Sequence, residues 1–330
     1  MTKTNKPINF PIDLVYLWVD GSDPAWIAKR NKAKGVTGNE SHNCEARWRD
    51  NDELKYSLRS IEKFAPWVNR VFIVTDNQCP SWLDASNPKV QVVDHSQIFP
   101  ADALPIFNSQ AIESVMYKIP GLSEHFIYGN DDMLLAAPVE PSDFFNEDGT
   151  TIVRLSGTRM RDKKRFTGDM YVRVVHKMRD YIYERFGVKV QYKPHHNLDA
   201  YRVSDFEKCV ELCPEAWKAT AYSRFRSEED VQRSIVGYFV IATGRGTMRK
   251  VGRCNRFFSV WSKLRAFFTN TFASDSRCVP VSARDYAKVM RKYNPLMFCM
   301  NDDEKTSEDD CKRMAEFLEK LFPEKSSFEK

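Results

Sequence analysis

Apolar residues over the first 141 positions fall into short runs that stop abruptly in polar turns, and this pattern predicts a sheet of buried strands. Residues 12–19 (IDLVYLWV) form an apolar run interrupted once, at Asp13, and closed by Asp20-Gly21-Ser22-Asp23-Pro24. Residues 71–75 (VFIVT) end in Asp76-Asn77, residues 90–93 in Asp94-His95, and residues 126–128 in Gly129-Asn130-Asp131-Asp132. Between these runs the period changes. Leu54, Leu58, Ile61 and Ala65 make a helical stripe stopped by Pro66, with Asp50 and Glu53 at capping-box spacing. Ile112, Val115, Met116 and Ile119 make a second stripe, and Glu113 lies off it, where a helical glutamate is normally solvated. The order β-α-β-β-α-β predicts an α/β fold with a Rossmann-like, largely parallel central sheet, and every polar cluster follows a strand.

Beyond Pro141 the strand signals thin out. A helix is predicted near residues 170–185, closed by Gly187, and Ser204/Glu207, Ser227/Asp230, Ser282/Asp285 and Ser307/Asp310 carry the start signal of further helices. The expectation is a core over residues 1–141 and a mainly helical portion over 142–330 that completes the same cleft, the two forming one integrated domain. No repeat, low-complexity tract or linker separates them.

Composition narrows the classes. A formal charge of +5 on 330 residues is too small to indicate a general nucleic-acid role. No apolar run approaches the ~20 residues that span a bilayer, and the first ten residues lack the apolar segment of a signal peptide, so a cytosolic chain with its mature start here is expected. The eight cysteines include no CxxC pair and no His/Cys group at zinc-finger spacing, so structural zinc is not expected; Cys209 and Cys213 read as small core residues of a helix. Residues 29–43, polar and carrying Gly35 and Gly38, read as a loop.

Candidate chemistry concentrates where strands end. Two adjacent ionised aspartates repel, and Asp131-Asp132 at the end of a buried strand are best tolerated with a cation between them and an anionic ligand; the alternative is an Asx-rich turn in solvent. Asp20 and Asp23 occupy the same position after the first strand, again with turn chemistry as the alternative. Arg47 and Arg49, just before a helix N-terminus, suit a phosphate or pair with nearby acids. The second half adds His195-His196, offering a base that titrates near neutrality, Arg224 to Asp230 at an expected helix start, and Asn301-Asp302-Asp303 after an apolar run. Residues 248–272 interleave basic and aromatic side chains, which fits either a membrane-surface patch or an aromatic core with snorkelling cations.

Taken in order, IDLVYLWVDGSDP, RWRDNDELKYSLRSIEKFAPWVNRVFIVTDNQCPSWL, LPIFNSQAIES and IPGLSEHFIYGNDDM resemble the first two blocks of the Stealth family of sugar-phosphate transferases. FRSEEDVQRSIVGYF resembles the third block, and FCMNDDEKTSEDD with FPEKSSFE the fourth. The resemblance covers the chain apart from parts of 142–190 and 245–295. It implies transfer of a hexose-1-phosphate, typically an N-acetylhexosamine-1-phosphate, from a UDP-sugar to a hydroxyl of a saccharide or polysaccharide, with release of UMP, in capsule or exopolysaccharide assembly. It implies Mg²⁺ or Mn²⁺ held by Asp131, Asp132 and Asp302; Glu113, Asp132 and Arg226 as catalytic groups; and His195 or His196 as the base, the pair leaving two choices. Trp18, Asp20, Gly21, Asp23, Arg47, Arg49, Asn51, Asn108 and Asn130 are expected around the substrates. The resemblance is compatible with peripheral attachment at the inner face of the cell membrane. The competing readings are a metal-dependent glycosyltransferase that releases UDP and a non-catalytic nucleotide-sugar or polysaccharide-binding protein.

Overall fold

The structure, a computed structural model, describes residues 8–34, 48–162, 167–251 and 275–330. Strand β1 (Ile12–Leu17) passes through helices α1 (Pro24–Lys34) and α2 (Glu53–Phe64) to strands β2 (Val71–Thr75) and β3 (Val90–Asp94), and helix α3 (Ser109–Val115) returns the chain to β4 (His125–Asn130). There follow β5 (Met133–Leu135), β6 (Thr151–Arg159), α4 (Met170–Phe186), β7 (Tyr192–Pro194), β8 (Asp199–Arg202), α5 (Val203–Leu212), α6 (Pro214–Ala221), α7 (Ser234–Ala242) and β9 (Gly246–Val251). The chain ends with β10 (Ser276–Pro280), α8 (Tyr286–Tyr293), β11 (Met297–Asn301) and α9 (Glu308–Leu321).

The central sheet has the order β3-β2-β1-β4-β8, with β1, β2, β3 and β4 parallel and β8 antiparallel to β4. Both faces are covered, as the continuous apolar runs require. Ile12, Leu14 and Tyr16 pack with Leu54, Leu58 and Ile61 of α2 on one face. Val15, Phe72, Phe126 and Tyr128 face the other, against Val115 of α3 and the helices after β8. The alternation follows from the two-residue period of a strand. Asp13, the one interruption in β1, is fully buried: its carboxylate accepts from Asn69 Nδ2 (2.7 Å) and the Ser123 amide (2.7 Å), tying β1 to the turns before β2 and β4. Because β2 and β3 lie on one side of β1 and β4 on the other, the chain reverses direction of winding between β1 and β4. A crevice therefore opens beyond their carboxyl ends.

Several expectations need correction. The second half is helical in part, but among the described residues it also contributes six strands, and β8 enters the central sheet. These strands are short or carry polar residues, so their pattern does not stand out against turns. Residues 29–34 continue helix α1 instead of opening a loop, because Trp26, Arg30 and Ala33 at helical spacing bury one face, with the Arg30 guanidinium 4.6 Å over the Trp48 ring. Asp50 does not cap α2. The N-cap is Asp52, in the left-handed region, and Glu53 reaches back to Asn51. Arg224 to Asp230 is a turn; helix α7 begins at Ser234, and the Asp230 carboxylate is spent on the Ser227 amide and on Asn108. Ser307 and Asp310 do form a capping box at the start of α9. Arg47, residues 35–43 and residues 252–272 of the basic-aromatic stretch lie outside the described residues. Among those described, no helix is long and apolar enough to cross a membrane.

Candidate active site

The crevice at the reversal point is a cleft of about 1000 Å³. Leu17 and Trp18 at the end of β1, Asn130 to Asp132 at the end of β4, α3, the segments around His195 and Arg226, and residues 300–305 at the end of β11 all line it. A second three-stranded sheet explains how residues 170 positions apart meet there. In the order β10-β11-β5, β11 runs antiparallel to β5, with Cys299 opposite Met133, and the Met300 amide donates to the Asp132 carbonyl (3.0 Å). The acidic turn after β4 and the Asn301-Asp302 turn after β11 are thus brought to one edge by backbone pairing.

That edge is strongly acidic. Burial, and then the charges of Asp132, Glu53 and Asp50, push the Asp131 carboxyl well above the usual carboxylate range. Burial raises Asp132 to about 6, opposed by the Cys299 thiol, which donates to Oδ2 at 2.9 Å. Burial also raises Glu53 to about 7 and Asp50 to about 6. Asp132 Oδ1 is buried without a hydrogen-bond partner. Arg49 supplies one positive charge, its Nη1 lying 2.9 Å from Asp302 Oδ2. Burial is the main cause of the raised carboxyls, and Asp131, Asp132 and Asp302, with Glu53 beside them in the cleft lining, are the oxygen donors that could hold a hard divalent cation there.

The same lining carries positive charge from Arg226 and Arg233. Arg226 Nη2 donates to Ser109 Oγ (2.6 Å), and Ser109 begins helix α3. Its loop is held by the wholly buried Asn108, which caps α3 through the Gln110 amide (3.0 Å) and donates to Asp230 (2.8 Å) and the Ser223 carbonyl (3.1 Å). Glu113 is buried, not solvated: the face of α3 off its apolar stripe looks into the cleft. Its Oε1 lies 3.1 Å from the Tyr128 hydroxyl, which also reaches Asn130 Oδ1 (3.0 Å), and its Oε2 lies 3.5 Å from Arg233 Nε. Burial raises the Glu113 carboxyl, while Arg233 and Arg226 pull it down. Arg233 also pairs with Asp199 and stacks 4.9 Å over the Tyr128 ring.

The histidines follow β7. Burial, helped by Arg233 and His195, lowers His196 to about 4, so its imidazole is neutral near pH 7. His195 Nδ1 lies 3.3 Å from Ser276 Oγ, whose single proton is donated to the His196 carbonyl. The hydroxyl can then only accept from Nδ1–H. With the proton on Nδ1, Nε2 is the basic ring nitrogen, and Ser276 orients the imidazole.

Of the sequence-derived residues, Trp18, Arg49, Glu113, Asn130, Asp131, Asp132, His195, His196, Arg226 and Asp302 line the cleft. Asp20, Gly21, Asp23, Asn51 and Asn108 do not. Asp20 accepts from the Ser22 amide (2.8 Å), Asp23 from Gln78 Nε2 (2.9 Å), and the Gly21 amide donates to the Trp48 carbonyl (2.9 Å). A Cβ on Gly21 would stand 2.0 Å from that oxygen, so glycine is required for the turn to lie against Trp48. Asn51 holds the Glu53 carboxylate through Nδ2 (2.9 Å). The residues that the pattern missed are Glu53, Asp199 and Arg233. Glu53 was visible only as a helix-start acid. Arg233, a lone cation just before the apolar run SIVGYFVIA, was the stronger unused signal.

Comparison with known proteins finds three matches, described as Stealth protein CR1, conserved region 1 (residues 10–35), Stealth protein CR2, conserved region 2 (47–153), and Stealth protein CR4, conserved region 4 (287–330). An exopolysaccharide phosphotransferase of Streptomyces coelicolor is 40% identical over 98% of this chain, which spans only 53% of that protein. The receptor polysaccharide phosphotransferase WefC of Streptococcus oralis is 34% identical, with 96% of this chain and 99% of WefC aligned. The capsular polysaccharide phosphotransferase WcwK of Streptococcus pneumoniae is 33% identical over the same shares. The chain thus spans about half the length of the Streptomyces relative and nearly the whole of the streptococcal ones.

Proposed function

The chain belongs to the Stealth family, and from that premise we propose that it transfers a hexose-1-phosphate from a UDP-sugar to a saccharide hydroxyl in capsule or exopolysaccharide synthesis, working in the cytoplasm at the inner membrane face. One observation carries the reading: Asp131, Asp132, Asp302, Arg226, Glu113 and His195 all line one cleft. An acidic cation site with an arginine in the same cleft suits a diphosphate, because the charge of the anion must be neutralised before a nucleophile can approach phosphorus.

In this reading Asp131, Asp132 and Asp302, with Glu53 beside them, would hold Mg²⁺ or Mn²⁺, which would supply positive charge against the diphosphate. The Arg226 fork meets the transferred phosphate oxygens. Glu113, braced by Tyr128 and Arg233, binds and orients the sugar hydroxyls at the reacting end. His195 takes the proton from the acceptor hydroxyl at Nε2 as its oxygen attacks the β-phosphorus. The bond between the β-phosphorus and the bridging oxygen breaks, the electron pair leaves with UMP, and the sugar–phosphate bond passes intact into the product. Incubation with UDP-N-acetylglucosamine or a related donor, a saccharide acceptor and Mg²⁺ is expected to release UMP and leave phosphorus in the product. Release of UDP would identify a glycosyltransferase, and donor binding without turnover a binding protein.

The carboxyl cluster also makes cation binding pH-dependent. Groups held above their ordinary range bind more protons in the folded than in the unfolded chain, so between about pH 4 and pH 7 their contribution to stability falls as pH rises. A divalent ion replaces those protons. Mg²⁺ at about 100 times its dissociation constant is expected to raise the melting temperature at pH 8 by about 4 °C and to do almost nothing at pH 5. Calorimetry at the two pH values checks this, and an equal shift at both would remove the acidic cluster as the cation site.

A further inference from the structure

Sequence spacing argues against zinc, yet the fold gathers a sulfur-containing ligand set that no local motif announces. His196, Cys278 and Cys299 each present a ligand atom, and the three atoms lie within 4.8 Å of one another. The cysteines are direct partners in the parallel pairing of β10 with β11, so both side chains project from the same face of that sheet. Ser276, two residues before Cys278 and on the same face, donates to the His196 carbonyl and so pins the histidine segment against the strand. The Cys299 thiol in turn lies 2.9 Å from Asp132 Oδ2. One imidazole from the segment after β7 and two thiols from β10 and β11 therefore come together at the cleft, with the Asp132 carboxylate of the turn before β5 beside the Cys299 thiol.

We infer that His196, Cys278 and Cys299 form a binding site for a thiophilic divalent ion such as Zn²⁺, the fourth position being taken by water or by Asp132, whose Oδ2 lies 2.9 Å from the Cys299 thiol. Two sulfurs bound tetrahedrally at about 2.3 Å from zinc lie about 3.8 Å apart, and a nitrogen slightly closer, so ligand atoms already within 4.8 Å need only small side-chain rotations. The thiols ionise on binding: Zn²⁺ enters, two protons leave, and the Cys278 and Cys299 thiolates, the His196 imidazole and a carboxylate or water surround it. This set is softer than the all-oxygen cluster of Asp131, Asp132 and Asp302, so the two sites select different metals, with Asp132 adjoining both.

The test is metal binding by the full chain, kept reduced with a phosphine, in which Co²⁺ serves as a spectroscopic stand-in. One equivalent of Co²⁺ is expected to give the near-ultraviolet thiolate-to-cobalt charge-transfer absorption and intense visible bands of a tetrahedral site. Stoichiometric Zn²⁺ is expected to abolish both, with release of about two protons. Cys278 is exposed, so Cys278→Ser keeps the fold, which its melting temperature verifies, and is expected to weaken Zn²⁺ binding at least about 100-fold. Asp131→Asn, which touches only the oxygen site, is expected to retain the charge-transfer band. A wild-type chain without that band, or a Cys278→Ser chain that keeps both band and affinity, would overturn the inference.

Discussion

Asp132→Asn is expected to lower donor turnover by at least about 10³-fold, the scale on which removal of an essential charge-stabilising group at a reacting phosphate is felt. The substitution keeps the shape of the side chain and removes the charge. Asp132 joins the two sheets through its backbone, the carbonyl accepting from Met300, and asparagine preserves that contact, so the variant is expected to fold. Without divalent ion it should be no less stable than the wild type at pH 8, since burial holds the carboxyl at about 6 and its ionised form is disfavoured in the folded chain. The melting shift produced by Mg²⁺ should shrink with it. Steady-state UMP release and paired melting curves measure both effects, and unchanged turnover in Asp132→Asn would remove this carboxylate from the mechanism.

Arg226→Ala is expected to cost about 10³-fold in kcat, with Arg226→Lys recovering less than a tenth of the loss. The reason is geometric. One nitrogen of the guanidinium donates to Ser109 Oγ, which fixes the position of the fork in the cleft lining. A lysine supplies charge but cannot hold the serine and meet two phosphate oxygens at once. Ser109→Ala should therefore show a smaller loss of the same kind, a lower kcat with donor affinity little changed. If Arg226→Lys matched the wild type at saturating donor, a point charge would suffice and the fork geometry would have no role.

The expected strands were legible because their cause is local. A run such as VFIVT, apolar at every position, has few alternatives to a strand covered on both faces, and the four first-half runs are the four parallel strands of the sheet. The acidic turns were legible too, since a glycine or strand end followed by Asn-Asp-Asp is a local composition break. From periodicity alone Glu113 reads as solvated, and only the family resemblance marks it, because its neighbours along α3 say only which face is apolar. They do not say that the other face meets Tyr128 and Arg233 instead of water. The same limit explains Asp20 and Asp23: a strand-end carboxylate looks alike in sequence whether it faces a ligand or, as here, closes its own turn against Gln78.

What the sequence by itself determined is therefore the set of elements and the chemical type of each strand end, both properties of residues within a turn or two of one another. Tertiary structure decided which ends share a cleft. The antiparallel pairing of β11 with β5 carries Asp302 to Asp132 across 170 positions, and the β10–β11 register sets Cys278 beside Cys299. Such pairings are selected by the packing of whole layers, in which each strand contributes a small part of the burial, so no local pattern encodes them. Charge followed from the same assembly. Asp50, Glu53, Asp131 and Asp132 are ordinary acids along the chain, and only burial in the folded protein raises their proton affinity.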